Sequence, residues 1–140
     1  MSNGLQLADD EWLVGRVNRA RWLNDDIVHV VLGSPEHHEG GVYDEADGRD
    51  ALFVVDQLVT DHEKALILTD IRGVRNTTAR VLRLPSHPKA TRLALLIGGP
   101  VSRMLGNAYL GITKQSQDTK LFTDQSAAIA WLREANESIS

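Results

Sequence analysis

The sequence contains no cysteine. That absence removes disulfides, thiolate metal centres and cysteine nucleophiles together, and it fits a reducing compartment, so a cytoplasmic location is expected. Aromatic residues are scarce, at 5%. Trp12, Trp22, Tyr43, Phe53, Tyr109, Phe122 and Trp131 are scattered along the chain rather than gathered on one strand with basic neighbours. That distribution argues against a base-stacking platform, and the net charge of −4 argues against a general nucleic-acid binder. No apolar run approaches the ~20 residues that a membrane-spanning helix needs. The opening residues MSNGLQLADDE lack the basic and apolar regions of a secretory leader. Also missing are GxGxxG, the GxxxxGK P-loop and GxSxG, which removes the commonest nucleotide-binding and hydrolase signatures. Acidic residues are absent from 71–117, where Arg72, Arg75, Arg80, Arg83, Lys89, Arg92, Arg103 and Lys114 stand. Between residues 36 and 63 the balance reverses, with Arg49 the lone Lys or Arg among many Asp and Glu.

What is present fits one domain. A chain of 140 residues with 42% hydrophobic and 24% charged residues can bury a single core. The expected division is a disordered N-terminus at 1–10, one α/β domain at 11–136 and a C-terminal tail at 137–140. Glu11 to Leu32 reads as a β-hairpin turning at Asn24-Asp25-Asp26, with a β-branched run from Ile27 to Val31. Gly33 to Gly41 reads as a loop. Tyr43 to His62 carries a helical stripe of Ala51, Leu52, Val55, Leu58 and Val59, with Gly48 pushing the regular part toward Arg49. Lys64 to Thr69 is the third strand. A short helix follows over 76–84, with Asn76 or Thr77 as its cap and Pro85 beyond it.

The most informative stretch is Thr91 to Gly111. The apolar run Leu93 to Ile97 breaks at Gly98-Gly99-Pro100. Val101, Met104, Leu105, Ala108, Tyr109 and Ile112 then take up helical spacing. This reads as a buried strand, a tight turn and an amphipathic helix. Lys114 to Asp118 is a polar loop and Thr119 to Phe122 a fifth strand, and Thr123 is expected to cap a last helix bearing Ala128, Trp131, Leu132 and Ala135. The order β-β-α-β-α-β-α-β-α predicts a mixed five-stranded sheet with four helices, and the chain length favours two layers over three. Its N-terminal hairpin is antiparallel and its later strands are parallel with right-handed crossovers.

Three segments give this chain a family likeness: Leu66 to Val74, Ala94 to Arg103, and Leu121 to Asp124 leading into Ala130-Trp131-Leu132. On them, the chain resembles the STAS (SpoIIAA-like) superfamily of anti-sigma-factor antagonists and transporter regulatory tails. It is most similar to the STAS-like, CRAL-TRIO-like bacterial domains of unknown function. The resemblance implies a non-catalytic regulatory or interaction module, homodimeric, binding a protein partner or a small anionic ligand. The CRAL-TRIO-like side of it implies, as an alternative, a domain for an apolar or lipid-like ligand. Phosphorylatable antagonists carry a serine and glycine where this chain has Gly73-Val74-Arg75-Asn76-Thr77-Thr78-Ala79. Thr77 and Thr78 are the candidate phospho-sites left there.

The candidate anion or partner surface is Gly98, Gly99, Ser102 and Arg103 at the helix start, with Arg72, Arg75, Arg80 and Arg83 nearby in sequence. The simpler reading of that turn is that Ser102 satisfies a terminal amide. Met104 and Tyr109 are the candidate lining of an apolar pocket between sheet and helix. His37-His38-Glu39 lacks the helical i, i+4 spacing of a metal pair. No metal, cofactor or catalytic residue is assigned, and a small enzyme is the least favoured class.

Overall fold

A computed structural model describes residues 11–24, 26–85, 87–112 and 118–137. The expected disordered N-terminus at 1–10, residues 114–117 of the expected polar loop and 138–140 of the expected tail lie outside the described residues, whereas Asp118 opens a strand and Glu137 ends a helix. Strand β1 (Leu13–Val14) pairs antiparallel with β2 (Arg19–Leu23), which pairs antiparallel with β3 (Ile27–Val31) in register Leu23↔Ile27. The hairpin turns at Asn24, whose φ of 52° is the left-handed conformation that asparagine tolerates. From β3 the sheet continues parallel through β5 (Ala65–Asp70), β7 (Ala90–Leu96) and β8 (Asp118–Phe122). The spatial order is β1-β2-β3-β5-β7-β8, the mixed sheet that the sequence predicts, with one extra edge strand.

Between β3 and β5 lie the one-turn helix α1 (Pro35–His38), β4 (Val42–Tyr43) and α2 (Glu45–Val59). Thus Gly33–Gly41 is not purely a loop. Tyr43 belongs to a strand, and the helix begins at Glu45 despite Gly48. A reciprocal capping box explains the early start: Asp47 N donates to Asp44 Oδ1 at 3.1 Å and Asp44 N donates to Asp47 Oδ2 at 2.9 Å. Two satisfied amides offset the ~1 kcal/mol that a helical glycine costs. Gly48 also has a packing role, since a Cβ there would stand 2.5 Å from Leu84 Cδ1.

The β5–β7 crossover departs most from expectation. Asn76–Thr77 form β6, paired parallel with β4 in a separate ribbon, so neither caps a helix. Thr77 Oγ1 donates to the Tyr43 carbonyl at 2.8 Å. Thr78 takes the N-cap position without a side-chain cap bond, and the helix α3 is only Ala79–Leu82. Helices α4 (Pro100–Ile112) and α5 (Gln125–Glu137) complete the chain. Asp124 rather than Thr123 caps α5, accepting from Ala127 N at 2.9 Å.

Two apolar clusters occupy opposite faces of the sheet. On one, Val28, Val30, Ile67, Leu93, Leu95 and Ile97 meet α2 and α4. On the other, Ile27, Leu66, Leu68, Ala94 and Leu96 meet Ala128 and Leu132 of α5. The domain therefore has three layers rather than two. Strands β5 and β7 alternate between two covered faces, which is why they read as continuous apolar runs.

Candidate functional site

The turn at 98–103 joins β7 to the start of α4, and part of its polar groups is engaged internally. Gly98 N donates to Ser102 Oγ at 2.7 Å, and the Ser102 hydroxyl faces the Gly99 carbonyl at 3.3 Å. Ser102 is buried, whereas Arg103 is exposed. Arg72 is brought to this turn, its stem lying against Gly98. Its guanidinium is committed to Asp70, from Nε at 3.0 Å and Nη2 at 2.8 Å. That pairing raises the already high Arg72 pKa. Arg80 turns toward Glu45 of α2 at 3.5 Å. Arg75 and Arg83 are exposed and, among the described residues, unpaired. The predicted arginine group is thus divided. The hydroxyls of Thr77 and Thr78 are turned inward: Thr77 bonds to Tyr43, and Thr78 Oγ1 is buried without a partner.

Between the sheet and α2, α3 and α4 lies a cavity of about 160 Å³. Its floor is Val30, Ile67, Leu93 and Leu95, and its walls include Ala51 and Val55 of α2, Val81 and Leu82 of α3, and Leu105 and Tyr109 of α4. The lining is overwhelmingly apolar. Tyr109 borders the cavity. Met104 is 62% exposed and does not line the cavity, because α4 turns its Leu105 side, rather than Met104, to the sheet. The cavity has a simple cause. Helices of 15 and 13 residues span the neighbouring crossovers, whereas α3 has four residues and buries none of them. One turn of helix cannot cover the sheet area that its neighbours cover. The chain on either side of α3 is fixed, by Thr77 to Tyr43 and by His87 Nε2 to Asp56 Oδ1 at 2.9 Å.

A buried polar knot closes the C-terminal end of β3, and sequence reading missed it. Asp47 Oδ1 pairs with Arg16 at 2.6 Å and Asp47 Oδ2 with His37 Nε2 at 3.2 Å. Tyr43 Oη donates to Asn18 Oδ1 at 2.6 Å, and Asn18 Nδ2 donates to the Asp47 carbonyl at 2.8 Å. Burial holds the Tyr43 hydroxyl far above its ordinary pKa. Desolvation pushes the Asp50 carboxyl up, yet the backbone amides of Arg16, Val17 and Asn18 outweigh it and hold the group below its ordinary range. Ser34 Oγ lies 3.1 Å from His37 Nδ1, so Ser34, His37 and Asp47 form a chain of contacts. His37 Nδ1 already accepts the Ser34 N–H at 3.0 Å. Its lone pair is therefore engaged, and both His37 and Asp47 are about 5% exposed. The arrangement pins α1 and α2 to the sheet; it does not present a nucleophile. The spacing of Asn18, Ser34, His37 and Asp47 carries no local signature, which is why no motif revealed them. Among the described residues no group of three or more His, Asp or Glu could hold a metal, and no helix is long and apolar enough to cross a membrane.

Residues 21–136 match the family described as domain of unknown function DUF7793. The chain belongs to that family. The DUF7793 domain is also similar in structure to an uncharacterised protein of the DUF3478 family with a SpoIIAA-like fold from Shewanella loihica PV-4. The two share 15% identity over 91% of this chain and 99% of the other, with a TM-score of 0.53. At that identity the likeness establishes the fold, which agrees with the STAS-like resemblance read from Leu66 to Val74 and Ala94 to Arg103. No curated protein matches the sequence.

Proposed function

We propose that this DUF7793 domain is a non-catalytic binding module for a small apolar ligand, held in the cavity between the sheet and α2, α3 and α4. The cavity carries the reading. An apolar space near 150 Å³ accepts a group of about benzene size, and this one, which is partly open to solvent, is comparable in size at about 160 Å³. Several of the polar side chains that border it are engaged elsewhere: His87 holds Asp56, Thr77 holds Tyr43, and the Tyr43 hydroxyl belongs to the polar knot. Selection of a ligand would therefore rest on shape and apolarity. Entry is easiest beneath α3, which has no side-chain cap and no buried residue. Titration with benzene should produce saturable shifts in the protein's NMR spectrum, and Ala51→Leu, which fills the space, should abolish them. Unsaturated or absent shifts would sink the proposal.

The regulatory reading has its own support in the exposed Arg75, Arg83 and Arg103. They are the surface cations that an acidic partner would meet. Replacing Arg75 and Arg83 with Ala should weaken capture of such a partner, and unaltered capture would remove that surface from consideration. In this reading the module works in the cytoplasm as a homodimer, joined through the β1 edge, where Val14 is 71% exposed. Light scattering at micromolar concentration should give twice 15.5 kDa, and the single-chain mass would refute the dimer.

A further inference from the structure

On the face of the sheet opposite the cavity, α5 packs over β5, β7 and β8. The neighbouring area over β2 and β3 is covered instead by Trp12. Register Arg21↔His29 puts these two residues side by side across the β2–β3 pair, on the same face as Ile27 and Leu68. The Trp12 ring lies 5.4 Å from the His29 ring. The guanidinium carbons of Arg19 and Arg21 stand 4.6 and 4.5 Å from the Trp12 ring centre. Beneath this cover, three polar atoms are buried with no hydrogen-bond partner: Nδ1 and Nε2 of His29, and Nε of Arg21. His29 is only 5% exposed, and orphaned polar atoms at such a position are costly and rare.

Among the described residues, the charges that act on His29 are mostly positive. Arg19 and Arg21 form no ion pair among the described residues. Asp70, the acid that acts on His29, is held bidentately by Arg72. Burial, and after it the charge of Arg21, lowers the His29 pKa to about 4. The imidazole is therefore neutral at neutral pH and carries one N–H. Together with the Arg21 Nε–H this gives two donors on one face of the sheet, a cationic surround and an aromatic cover.

We propose that this is a binding site for a small oxyanion, a phosphate or carboxylate group, accepting hydrogen bonds from Arg21 and His29 beneath Trp12. The site is separate from the apolar cavity, since the sheet lies between them. It also differs from the turn at 98–103, which lies at the start of α4. Such an anion pairs the orphaned Arg21 Nε and one ring nitrogen, and it balances the charge of Arg19 and Arg21, which form no ion pair among the described residues.

The test is NMR titration of the full chain with inorganic phosphate, and separately with acetate, at ionic strength fixed by chloride. The His29 ring nitrogens and the Trp12 indole N–H are the probes. The expected result is a saturable shift of both probes with at least one of the two anions. Binding should weaken about tenfold or more in Arg21→Gln, from the loss of one charge-assisted hydrogen bond, and likewise in His29→Gln. Arg21 is only partly buried, so its replacement keeps the test open should His29→Gln fail to fold. No saturable shift with either anion, or equal affinity in Arg21→Gln, overturns the assignment.

Discussion

The crossovers on either side of β5 are built in opposite ways. The first carries α2, 15 residues opened by the Asp44–Asp47 capping box and ended at carbonyls that Lys89 Nζ satisfies, Val59 O at 2.9 Å and Thr60 O at 3.2 Å. Val54, Val55, Leu58 and Val59 of α2 are buried. The second carries α3, four residues with no side-chain cap and no buried side chain. Both connect parallel neighbours in one sheet, so topology alone demands similar helices from each. Sequence decides otherwise: Asn76–Thr77 are drawn into the ribbon with β4, and Pro85 stops the chain soon after Leu82. The short crossover leaves the cavity, and the long one supplies its rigid wall. Capping and burial are concentrated in α2 and lacking in α3.

The largest expected effect that would sharpen this contrast is in α2. Leu58→Ala should cost about 2–5 kcal/mol in chemical denaturation, as for other buried leucines. A cost below about 1 kcal/mol would mean that α2 is no better anchored than α3. A second effect is pH-dependent. The Asp50 carboxyl is depressed in the folded protein by the amides of Arg16, Val17 and Asn18. Its contribution is therefore complete above the unfolded value of about 3.9 and is lost as pH falls through the lower folded value. Asp50→Asn should flatten the acid limb of a stability–pH curve. An acid limb identical to that of the parent would contradict the clasp between the 16–18 turn and α2. The smallest effect is in α3, where Val81→Ala should change global stability by less than about 1 kcal/mol, since its side chain borders a cavity and is not fully enclosed. A loss equal to that of Leu58→Ala would erase the distinction.

Much of the architecture was legible in the sequence because it depends on local periodicity. The strand–turn–helix unit at Thr91–Gly111 appears as β7 and α4. The hairpin turn at Asn24 appears where the Asn-Asp-Asp signal lies. The three-layer arrangement was also encoded, since Leu93-Ala94-Leu95-Leu96-Ile97 has no polar alternation and so must be covered on both faces; chain length suggested two layers and misled. The cap assignments at Asn76, Thr77 and Thr123 failed because a neighbouring residue or a long-range ribbon competed for the same role. Met104 failed for a different reason. Its α4 stripe of Val101, Met104, Leu105, Ala108 and Tyr109 is wider than the face that the sheet accepts, leaving Val101 and Met104 exposed. The polar knot of Asn18, His37, Tyr43 and Asp47 joins elements far apart in sequence, and a cavity is a lack of atoms, so neither leaves a periodic trace.

The account's central claim is that a short α3 leaves a space that a small apolar molecule fills. The most direct measurement follows backbone and methyl resonances during a benzene titration. The account predicts saturable shifts concentrated on Val81, Leu82, Leu105 and Tyr109, with Ala128 and Leu132, on the far side of the sheet, unmoved. Shifts spread evenly over both faces, or none at saturation of the solvent with benzene, would contradict it.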